Sequence, residues 1–314
     1  MPASLRNLRP AQARLIAAIH QHGQLQTAAT ACHMSQPAAS RILAELEKTL
    51  ETPLFLRTPK GMEPTAAGEL VARHAARLSH DLYLLSSEFE ALRGGQAGAV
   101  RVGAVTGPAL GQLVPAIQRI KEETPNIDIS VEVAPSVILS RRLEAGDLDF
   151  ALCRLPATVD SRDYIVEPAR DEIVRLLVRT GHPMLSEDPM PISALHHLPW
   201  VLQERGAPIR SAIETAFADE SLSTPDDVIT TSSLLLIIAL LSRSDAIAPI
   251  SQEVVNLLLD APVSASFGML QLNRPITVEP YMIVRNRDRT ITQAAERLLD
   301  AVRQNIRQLG PHAF

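Results

Sequence analysis

Aromatic side chains are scarce in this sequence, at 3% of 314 residues. Proteins that hold single-stranded nucleic acid stack its bases on aromatic rings, so the composition argues against that function. Only two cysteines are present, Cys32 and Cys153, and their spacing fits no metal-binding motif. This argues against a disulfide scaffold and against a zinc site, and we predict that both cysteines lie in hydrophobic cores.

Long apolar runs are missing as well. The longest uncharged apolar stretch, Ser232–Leu241, is too short to cross a bilayer, which takes about 20 residues. The N-terminal residues lack the apolar segment of a signal peptide, so we expect a cytoplasmic protein with no membrane partner. Apolar residues make up 46% of the chain, which is enough for complete cores and excludes disorder throughout.

Positive charge is in deficit overall, with a formal net charge of −5, but it is unevenly distributed. Residues 1–60 hold seven lysines and arginines against three glutamates, a net charge of +4, so the remaining residues carry −9. A basic N-terminal segment on an acidic body is suited to phosphate binding by that segment alone. An unevenly charged solvated surface would give the same numbers, so both interpretations stay open at this point.

Three short helices are predicted in the first 50 residues. Apolar residues recur at helical spacing over Leu8–His22, and Gly23 stands where such a helix ends. An alanine-rich helix follows over Gln24–Ala31, and a third helix covers Gln36–Leu50. Three short helices with a tight turn before the third make a helix-turn-helix, although a plain three-helix bundle would show the same pattern.

The third helix carries the candidate DNA-reading side chains. Ser35 is a good N-cap, and Pro37 occupies the first turn, where its missing N–H costs nothing. Gln36, Ser40 and Arg41 share one face, and these types hydrogen-bond to base edges in the major groove. The residues that we expect to anchor the helix in the core are Ala38, Ile42, Leu43 and Leu46.

A hairpin wing is predicted next. Pro53–Arg57 is a short apolar strand, a turn follows over Thr58–Gly61, and the chain returns over Met62–Thr65. Arg57 and Lys60 stand at the base and tip of this hairpin, where cations meet the sugar-phosphate backbone. The residues assigned to DNA are therefore Gln36, Pro37, Ser40, Arg41, Arg57 and Lys60.

The first 70 residues resemble the LysR-type transcriptional regulators without a gap. The segments that carry the resemblance are Ala28–Ala29, Ser35–Ile42, Leu46–Glu47, Pro53–Phe55, Arg57 and Thr65–Gly68. The resemblance implies sequence-specific binding to an operator in double-stranded DNA. Glu51 stands where the family has a glycine at the end of the recognition helix, so we expect that end to be less sharply terminated.

A long linker helix is predicted from an N-cap at Thr65 to about Leu92. Apolar residues recur along it with the 4–3 spacing of a coiled coil, which favours pairing with a second copy. A single amphipathic helix packed on its own body is the alternative. The resemblance also implies a dimer through this helix, and a tetramer stays open. The seam residues are Val71, Ala75, Leu78, Leu82, Leu85 and Phe89.

Strands and helices alternate after residue 96, which predicts an α/β fold with a largely parallel sheet. The predicted strands are Val100–Val105, Ile127–Val133, Phe150–Cys153, Ile173–Val178, Trp200–Leu202, Ala246–Ile250 and Tyr281–Arg285. The predicted helices are Pro108–Lys121, Val137–Glu144, Ile209–Phe217, Ser233–Leu241 and Thr292–Leu309.

By resemblance, the C-terminal part is an effector domain like a periplasmic binding protein, with two α/β lobes joined by two crossing strands. The fold class is thus α/β with an all-α, winged head. The expected units are residues 1–64 for the winged helix-turn-helix, 65–95 for the linker, and 96–314 for the effector domain. Lobe one would comprise 96–157 and 269–314, and lobe two 158–268.

Ligands of open α/β sheets bind beyond the carboxyl ends of strands, often at helix N-termini. Two such points are Thr106–Gly107 and Thr231–Ser232, and nearby loops add charged or polar groups. Local capping or surface solvation would explain each residue equally well. A mixture of hydroxyls and both charge signs favours a sugar or an organic acid as effector. The effector-binding candidates are Thr106, Gly107, Ser136, Arg154, Glu204, Arg205, Thr231 and Ser232.

Catalytic motifs are not found. No metal-ligand cluster, nucleophile elbow or phosphate-binding glycine loop is recognisable, so we expect no enzyme activity, no metal and no cofactor. A solute-binding protein would not carry a helix-turn-helix. The remaining alternative is a ligand-independent DNA-binding regulator whose C-terminal lobes serve oligomerisation.

Overall fold

The structure, a computed structural model, describes residues 8–59, 61–92, 98–156 and 159–308. The helices are α1 Pro10–His22, α2 Leu25–Ala31, α3 Gln36–Leu50, α4 Ala66–Leu92, α5 Thr106–Pro108, α6 Val114–Glu123, α7 Ser136–Ala145, α8 Pro208–Asp219, α9 Leu234–Leu241, α10 Gln252–Leu259 and α11 Gln293–Gln308. The strands are β1 Phe55–Thr58, β2 Gly61–Pro64, β3 Ala99–Ala104, β4 Asp128–Val133, β5 Phe150–Cys153, β6 Tyr164–Arg179, β7 Trp200–Leu202, β8 Val228–Thr230, β9 Ala248–Ser251, β10 Phe267–Leu270 and β11 Ile276–Asn286. A π-helical turn, Ala109–Leu113, joins α5 to α6.

The N-terminal head, residues 8–64, is built from α1 to α3 and the β1–β2 hairpin. Its core includes Leu15, Ile16, Ile19, Ala28, Ala39, Leu43, Leu46, Leu54 and Phe55. The prediction that Ala38 is buried is wrong, because Ala39, Leu43 and Leu46 share the inner face at spacings of four and three residues. Ala38 and Ile42 are half-buried at its margin. Cys32 packs against this core and burial raises its pKa, while burial of Cys153 in lobe one raises its pKa to about 12.

The ends of the head's helices follow the capping residues of the sequence. Ser35 Oγ accepts a hydrogen bond from the Ala38 N–H at 3.4 Å, and Thr65 Oγ1 accepts one from the Gly68 N–H at 3.0 Å. Gly23 ends α1 with φ +64°. The expectation of a poorly terminated α3 is wrong: Glu51 itself adopts the left-handed conformation, with φ +51°, and its N–H bonds back to Glu47 and Lys48.

The wing is fastened to the head at two points. Oε1 of Glu47 accepts the N–H groups of Leu54 and Phe55 at 2.7 and 3.1 Å, which joins α3 to β1. The Met62 N–H donates to the Gly23 carbonyl at 2.7 Å, which joins β2 to the end of α1. Gly61 has φ +137°, and a side chain there would overlap the Gly23 carbonyl, so only glycine fits this approach.

The helix α4 leaves the head and continues onto lobe one of the C-terminal part. Its first half packs on α1, with Ala72 and Ala75 in the head's core. Further along, His80 Nε2 lies 3.0 Å from the Thr290 carbonyl oxygen, and the Arg101 guanidinium stacks 3.8 Å above the Tyr83 ring. The helix therefore touches both the head and lobe one.

Lobe one is a parallel β4–β3–β5 sheet extended by β11 and β6. Its core lies between this sheet and the helices α6 and α11, and includes Val102, Leu113, Phe150, Tyr281, Leu298 and Val302. On the other side of the sheet, α7 buries Leu139 and Leu143. The short strands and amphipathic helices predicted for this lobe are present.

The strands β6 and β11 run antiparallel through both lobes. They pair from Ile276↔Val174 in lobe two to Asn286↔Tyr164 in lobe one, with irregularities in register around Tyr281. The predicted strand Ile173–Val178 is therefore too short by nine residues at its start. Glu167, Pro168 and the charged residues after them break the apolar pattern there, because β6 is only half-buried where it crosses between lobes.

Lobe two is formed on the other ends of β6 and β11, with β9 and β10 flanking β6. Trp200 of β7 is fully buried in its core together with Phe217 and Ile247. The proposed return to lobe one at residue 269 is wrong, because Leu270, Ile276 and Val278 belong to this same core. The predicted start of lobe two, residue 158, lies outside the described residues, and Tyr164 further along the chain packs in lobe one.

Within the described ranges, no helix combines the length and the apolar character that a membrane span needs.

Candidate DNA-binding face and effector cleft

The amino end of α3 projects from the head. Gln36, Pro37 and Arg41 are exposed on it, and Ser40 is half-buried one turn further along. Arg41 Nε donates to the Pro37 carbonyl at 3.4 Å, so the guanidinium folds back along the first turn of the helix. Exposed amide and guanidinium groups at a helix start form a surface that fits the major groove.

A side-chain hydrogen bond near the amino end of α3 also joins this helix to the wing. Arg57 Nη2 donates to Ser40 Oγ at 3.1 Å, so β1 and α3 present Ser40, Arg41 and Arg57 side by side. The sequence analysis predicted Arg57 and Ser40 as two separate contacts to DNA, whereas in the structure their side chains are hydrogen-bonded to each other. Lys60, the predicted tip residue, lies outside the described residues.

An apolar strip runs along the second half of α4. Its members are Leu78, Leu82, Leu85 and Phe89, with exposed fractions of 42–62%. Ala75 does not belong to this strip, because it is fully buried against the head, and Val71 is half-buried there. The heptad pattern serves two purposes: its first positions anchor α4 on its own head, and its later positions remain exposed.

Three predicted effector residues of lobe one come together. Thr106, Ser136 and Arg154 follow β3, β4 and β5, which are neighbouring parallel strands whose carboxyl ends meet at one edge. Ser136 Oγ accepts the Arg154 N–H at 3.2 Å. Thr106 is exposed at the start of α5, and the following Gly107 is buried.

The Arg154 side chain is not available for a ligand carboxylate. Its Nη2 lies 2.9 Å from Glu172 Oε2, and its Nε donates to the Glu279 carbonyl at 2.7 Å. The exposed fractions of these two side chains are 13% for Arg154 and 6% for Glu172. Arg154 therefore ties β5 to both crossing strands, and its charge is already paired.

The predicted lobe-two residues lie on two neighbouring loops. Glu204 and Arg205 are exposed after β7, and Thr231 and Ser232 follow β8, which pairs parallel to β7. Ser233, rather than Ser232, caps α9: its Oγ accepts the Leu236 N–H at 3.4 Å. Ser232 itself is exposed.

Buried Arg210, which the sequence did not single out, fixes the ends of β7 and β8. Its Nη1 donates to the Gln203 carbonyl at 2.9 Å and to Thr230 Oγ1 at 3.4 Å, and its Nε pairs with Glu214 at 2.8 Å. Since its charge is balanced by Glu214, Arg210 positions the two loops and adds no free positive charge to the cleft.

Polar side chains that the sequence did not predict surround Gly107. A side chain at Gly107 would lie 2.7 Å from Glu172 Oε1, and 3.1 Å from both Ser251 Oγ and Glu253 Oε2. Burial raises the pKa of Glu253, and the neighbouring Glu172 raises it further. Burial likewise raises the pKa of the Tyr281 hydroxyl.

Two of the polar residues around Gly107 could have been predicted from their position after a strand. Ser251 and Glu253 follow the predicted strand Ala246–Ile250, and the strand-end rule used elsewhere applies to them. Tyr281 and Gln112 gave no such signal, because a lone tyrosine in a strand and a glutamine in a helix are ordinary core-margin residues.

Comparisons with known proteins agree with this architecture. Residues 10–69 match the family model described as bacterial regulatory helix-turn-helix protein, lysR family, and residues 93–307 match that of the LysR substrate binding domain. The HTH-type transcriptional regulator GbpR of Rhizobium radiobacter is 37% identical over 243 residues, which cover 77% of this chain and 80% of the relative. The regulator GalR of Pseudomonas putida is 31% identical over 282 residues, covering 90% and 70%.

Solved structures show the same fold. A full-length OxyR variant from Pseudomonas aeruginosa has a TM-score of 0.63 at 21% identity, covering 96% of this chain and 95% of that chain. Full-length CbnR complexed with its target DNA has a TM-score of 0.60 at 18% identity, covering 95% and 99%. With two family models over most of its length, this chain belongs to the LysR family of DNA-binding transcriptional regulators, and it is not an enzyme.

Proposed function

We propose that this protein binds an operator through α3 and its wing, and that a small molecule held between the two lobes modulates this binding. The observation that carries the proposal is the exposed polar face of α3, with Gln36 and Arg41 at its start and Arg57 beside it. The DNA-binding unit would be residues 1–64, the linker 65–95 and the effector domain 96–314. Its site of action would be the cytoplasm.

Each side chain on this face has a distinct role in the proposal. Gln36 and Arg41 read base edges, since glutamine pairs bidentately with adenine and arginine with guanine. Arg57 and Lys60 contact phosphates, and Ser40 holds Arg57 in place through its hydroxyl. Pro37 fixes the first turn of α3, so that the reading side chains leave the helix at a set angle.

The exposed strip of α4 is proposed to pair with that of a second copy. Leu78, Leu82 and Leu85 are three leucines with 42–62% of their surface exposed on one helix. Burying them against a partner removes apolar surface from water and sets two recognition helices at two half-sites. A homodimer is the smallest assembly that satisfies this, and a homotetramer would be two such pairs.

The effector is proposed to bind where the loops after β3, β4 and β5 face those after β7, β8 and β9. Thr106, Ser136, Thr231 and Ser232 supply hydroxyl groups there, and the effector class is a sugar or an organic acid. A ligand that touches both lobes favours their closed arrangement. Binding shifts the equilibrium of the assembled dimer or tetramer, and with it the affinity for the operator.

Fluorescence anisotropy with two duplexes tests the DNA-binding face. One duplex is an operator selected from a random pool by the unmutated protein, and the other is a scrambled duplex of the same composition. Arg41→Ala is expected to weaken operator binding by about 1–3 kcal/mol while scrambled DNA is bound nearly as before. Arg57→Ala is expected to weaken both alike and to lower the slope of log affinity against log salt.

Arg205→Ala is the matched control, because Arg205 is exposed but lies on lobe two. It is expected to change neither affinity. If Arg41→Ala kept the full preference for the operator, α3 would not be the reading element.

A further inference from the structure

The second half of α4 is held on lobe one by a group of polar side chains. Among the described residues, no side chain of α4 belongs to either hydrophobic core of lobe one. The attachment of α4 to this lobe therefore depends on polar contacts, which can respond to protonation. We call the group the linker clasp, and its members are His80 and Tyr83 of α4 with Arg101, Asp149 and Arg289 of lobe one.

His80 is a buried side chain that α4 contributes to the clasp. It is 4% exposed, and its Nε2 lies 3.0 Å from the Thr290 carbonyl oxygen. A neutral imidazole donates this hydrogen bond from Nε2, which leaves Nδ1 as an acceptor. Within the described part of the chain, His80 Nδ1 has no hydrogen-bond partner. A second proton would enter at Nδ1, where no acceptor is in place to receive it.

The environment of His80 disfavours a positive charge. Burial lowers the pKa of His80, and the positive charges of Arg289 and Arg101 lower it further. The Thr290 carbonyl and the charge of Asp149 act in the opposite direction and offset this only in part. Asp149 is already engaged, because its Oδ2 accepts the Arg101 N–H at 2.7 Å and its Oδ1 lies 3.9 Å from the Arg101 guanidinium. A protonated His80 would therefore stand beside two cations that share one carboxylate.

Further charged groups lie around the clasp on both α4 and lobe one. Asp147 and Asp81 act on Arg289, whose Nη2 also donates to the Glu144 carbonyl at 2.9 Å. Arg77 of α4 forms an ion pair with Asp288 of lobe one, and both side chains are exposed. Exposed ion pairs contribute little to stability, so this pair does not by itself hold α4 on the lobe.

His80 is the member of the clasp that titrates near neutral pH, since the unperturbed pKa of an imidazole is 6.5. Burial raises the pKa of the Tyr83 hydroxyl, so that group stays neutral throughout. With α4 released, His80 would titrate near 6.5, whereas the clasped side chain titrates below this value, so acid favours the released form. One proton then raises the equilibrium constant for release by up to about tenfold between pH 7.5 and pH 5.5.

We propose that the linker clasp is acid-sensitive, and that a proton taken up by His80 releases the second half of α4 from lobe one and weakens operator binding. In the released form the imidazolium is solvated by water and lies away from Arg101 and Arg289. A free linker no longer fixes the head relative to lobe one, so operator binding must order it again at a cost in entropy. This consequence for the operator rests on the proposed function, whereas the release itself does not.

The three tyrosines of the chain allow the release to be observed directly. The full-length protein is produced with 3-fluorotyrosine, fluorine NMR spectra are recorded from pH 7.5 to pH 5.5, and Tyr83→Phe assigns the Tyr83 resonance. Tyr83 reports on the clasp because the Arg101 guanidinium stacks on its ring, while Tyr164 and Tyr281 are buried in lobe one and report on that lobe. The released fraction of Tyr83 is expected to rise several-fold toward pH 5.5, with the other two resonances unchanged.

Two variants assign the release to His80. His80→Gln keeps an N–H donor for the Thr290 carbonyl but takes up no proton in this range, so its released fraction is expected not to change with pH. His74→Gln is the matched control, because His74 is exposed on the same helix, and the Tyr83 resonance should respond as in the unmutated protein. In operator anisotropy, the unmutated protein is expected to lose several-fold more affinity between pH 7.5 and pH 5.5 than His80→Gln.

The proposal is overturned if the Tyr83 resonance of the unmutated protein is unchanged down to pH 5.5, or if it changes only together with those of Tyr164 and Tyr281. It is also overturned if His80→Gln responds like the unmutated protein. Release with the same loss of operator affinity in both proteins would contradict the effect on the operator. Failure of the unmutated protein to bind the operator at pH 7.5 contradicts the proposed function, whereas operator binding without a response of Tyr83 contradicts this inference alone.

Discussion

At a few positions a glycine is needed because another group packs directly against its backbone, and Gly146 is an example. It ends α7 with φ +82°, and a side chain there would overlap the Arg289 guanidinium, which reaches back to the Glu144 carbonyl at 2.9 Å. Arg289 is nearly buried, and burial lowers its pKa. The glycine thus serves both the backbone turn and the space for a buried cation.

Gly146→Ala is therefore expected to lose more stability than the roughly 1–2 kcal/mol of a left-handed alanine. Gly206→Ala is the matched control, because Gly206 also has φ +82° but nothing lies within 4 Å of its would-be Cβ. The free energies of unfolding of the two variants, measured by urea denaturation, separate the cost of backbone strain from the cost of overlap with Arg289. Equal losses would mean that Arg289 simply moves aside.

His80 gives the junction of α4 with lobe one a defined pH dependence. Burial lowers its pKa below 6.5, so the folded chain binds fewer protons there than the unfolded chain. The stabilising effect of the neutral side chain is complete above pH 6.5 and is lost as the pH falls toward the lower, folded pKa. This contribution to the free energy of unfolding should therefore decrease between pH 7 and pH 5.

His80→Gln keeps an N–H donor near the Thr290 carbonyl but does not titrate, so its stability should depend less on pH in that interval. His74→Gln is the control, because His74 is exposed on the same helix. Urea denaturation at several pH values measures the difference. If the free energy of unfolding depended on pH equally in the His80 and His74 variants, the buried imidazole of His80 would not be the cause of the pH dependence.

At the scale of elements, the sequence predicted most of the helices but missed α10, and it predicted the two crossing strands too short. Capping serine, threonine and glycine residues mark the ends of α1, α3 and α4, because each makes a local hydrogen bond or backbone conformation that sequence specifies directly. The lengths of β6 and β11 depend instead on pairing between residues about 110 positions apart. Where β6 and β11 cross between the lobes, charged residues interrupt the alternation of apolar and polar residues by which strands are predicted from sequence.

The apolar strip of α4 can be tested by mutation. Leu78→Glu places a charge in the middle of the exposed leucines of α4 and is expected to convert the proposed dimer to monomers, because an unpaired buried carboxylate in a coiled-coil seam is costly. Light scattering measures the mass. Arg73→Glu, exposed on the same helix away from the strip, should leave the mass unchanged. An intact dimer in Leu78→Glu would reject the seam.

At the scale of the whole molecule, the sequence was sufficient for the head and insufficient for the cleft. The residues proposed to face DNA lie within one continuous segment, so their spacing alone placed Gln36, Ser40 and Arg41 together. The polar group around Gly107 combines Gly107, Glu172, Ser251 and Tyr281 from four distant segments. No local pattern relates them, because only the crossing of β6 and β11 brings them into contact.

The head and lobe one also touch directly. Gln21 Nε2 donates to Asp147 Oδ2 at 2.7 Å, and Asp147 pairs with Arg142 of α7 at 2.9 Å. Together with α4, these contacts give a change in lobe one a physical route to the head. The proposed coupling of effector and operator depends on such a route.

The most direct measurement of this coupling is operator anisotropy with and without an effector found by a calorimetric screen of sugars and organic acids, for the unmutated protein and for Thr106→Val. Both proteins are expected to bind the operator equally without the effector, and only the unmutated protein should change its affinity when the effector is added. Failure of the unmutated protein to bind duplex DNA at low salt would contradict the account, and so would a normal effector response in Thr106→Val.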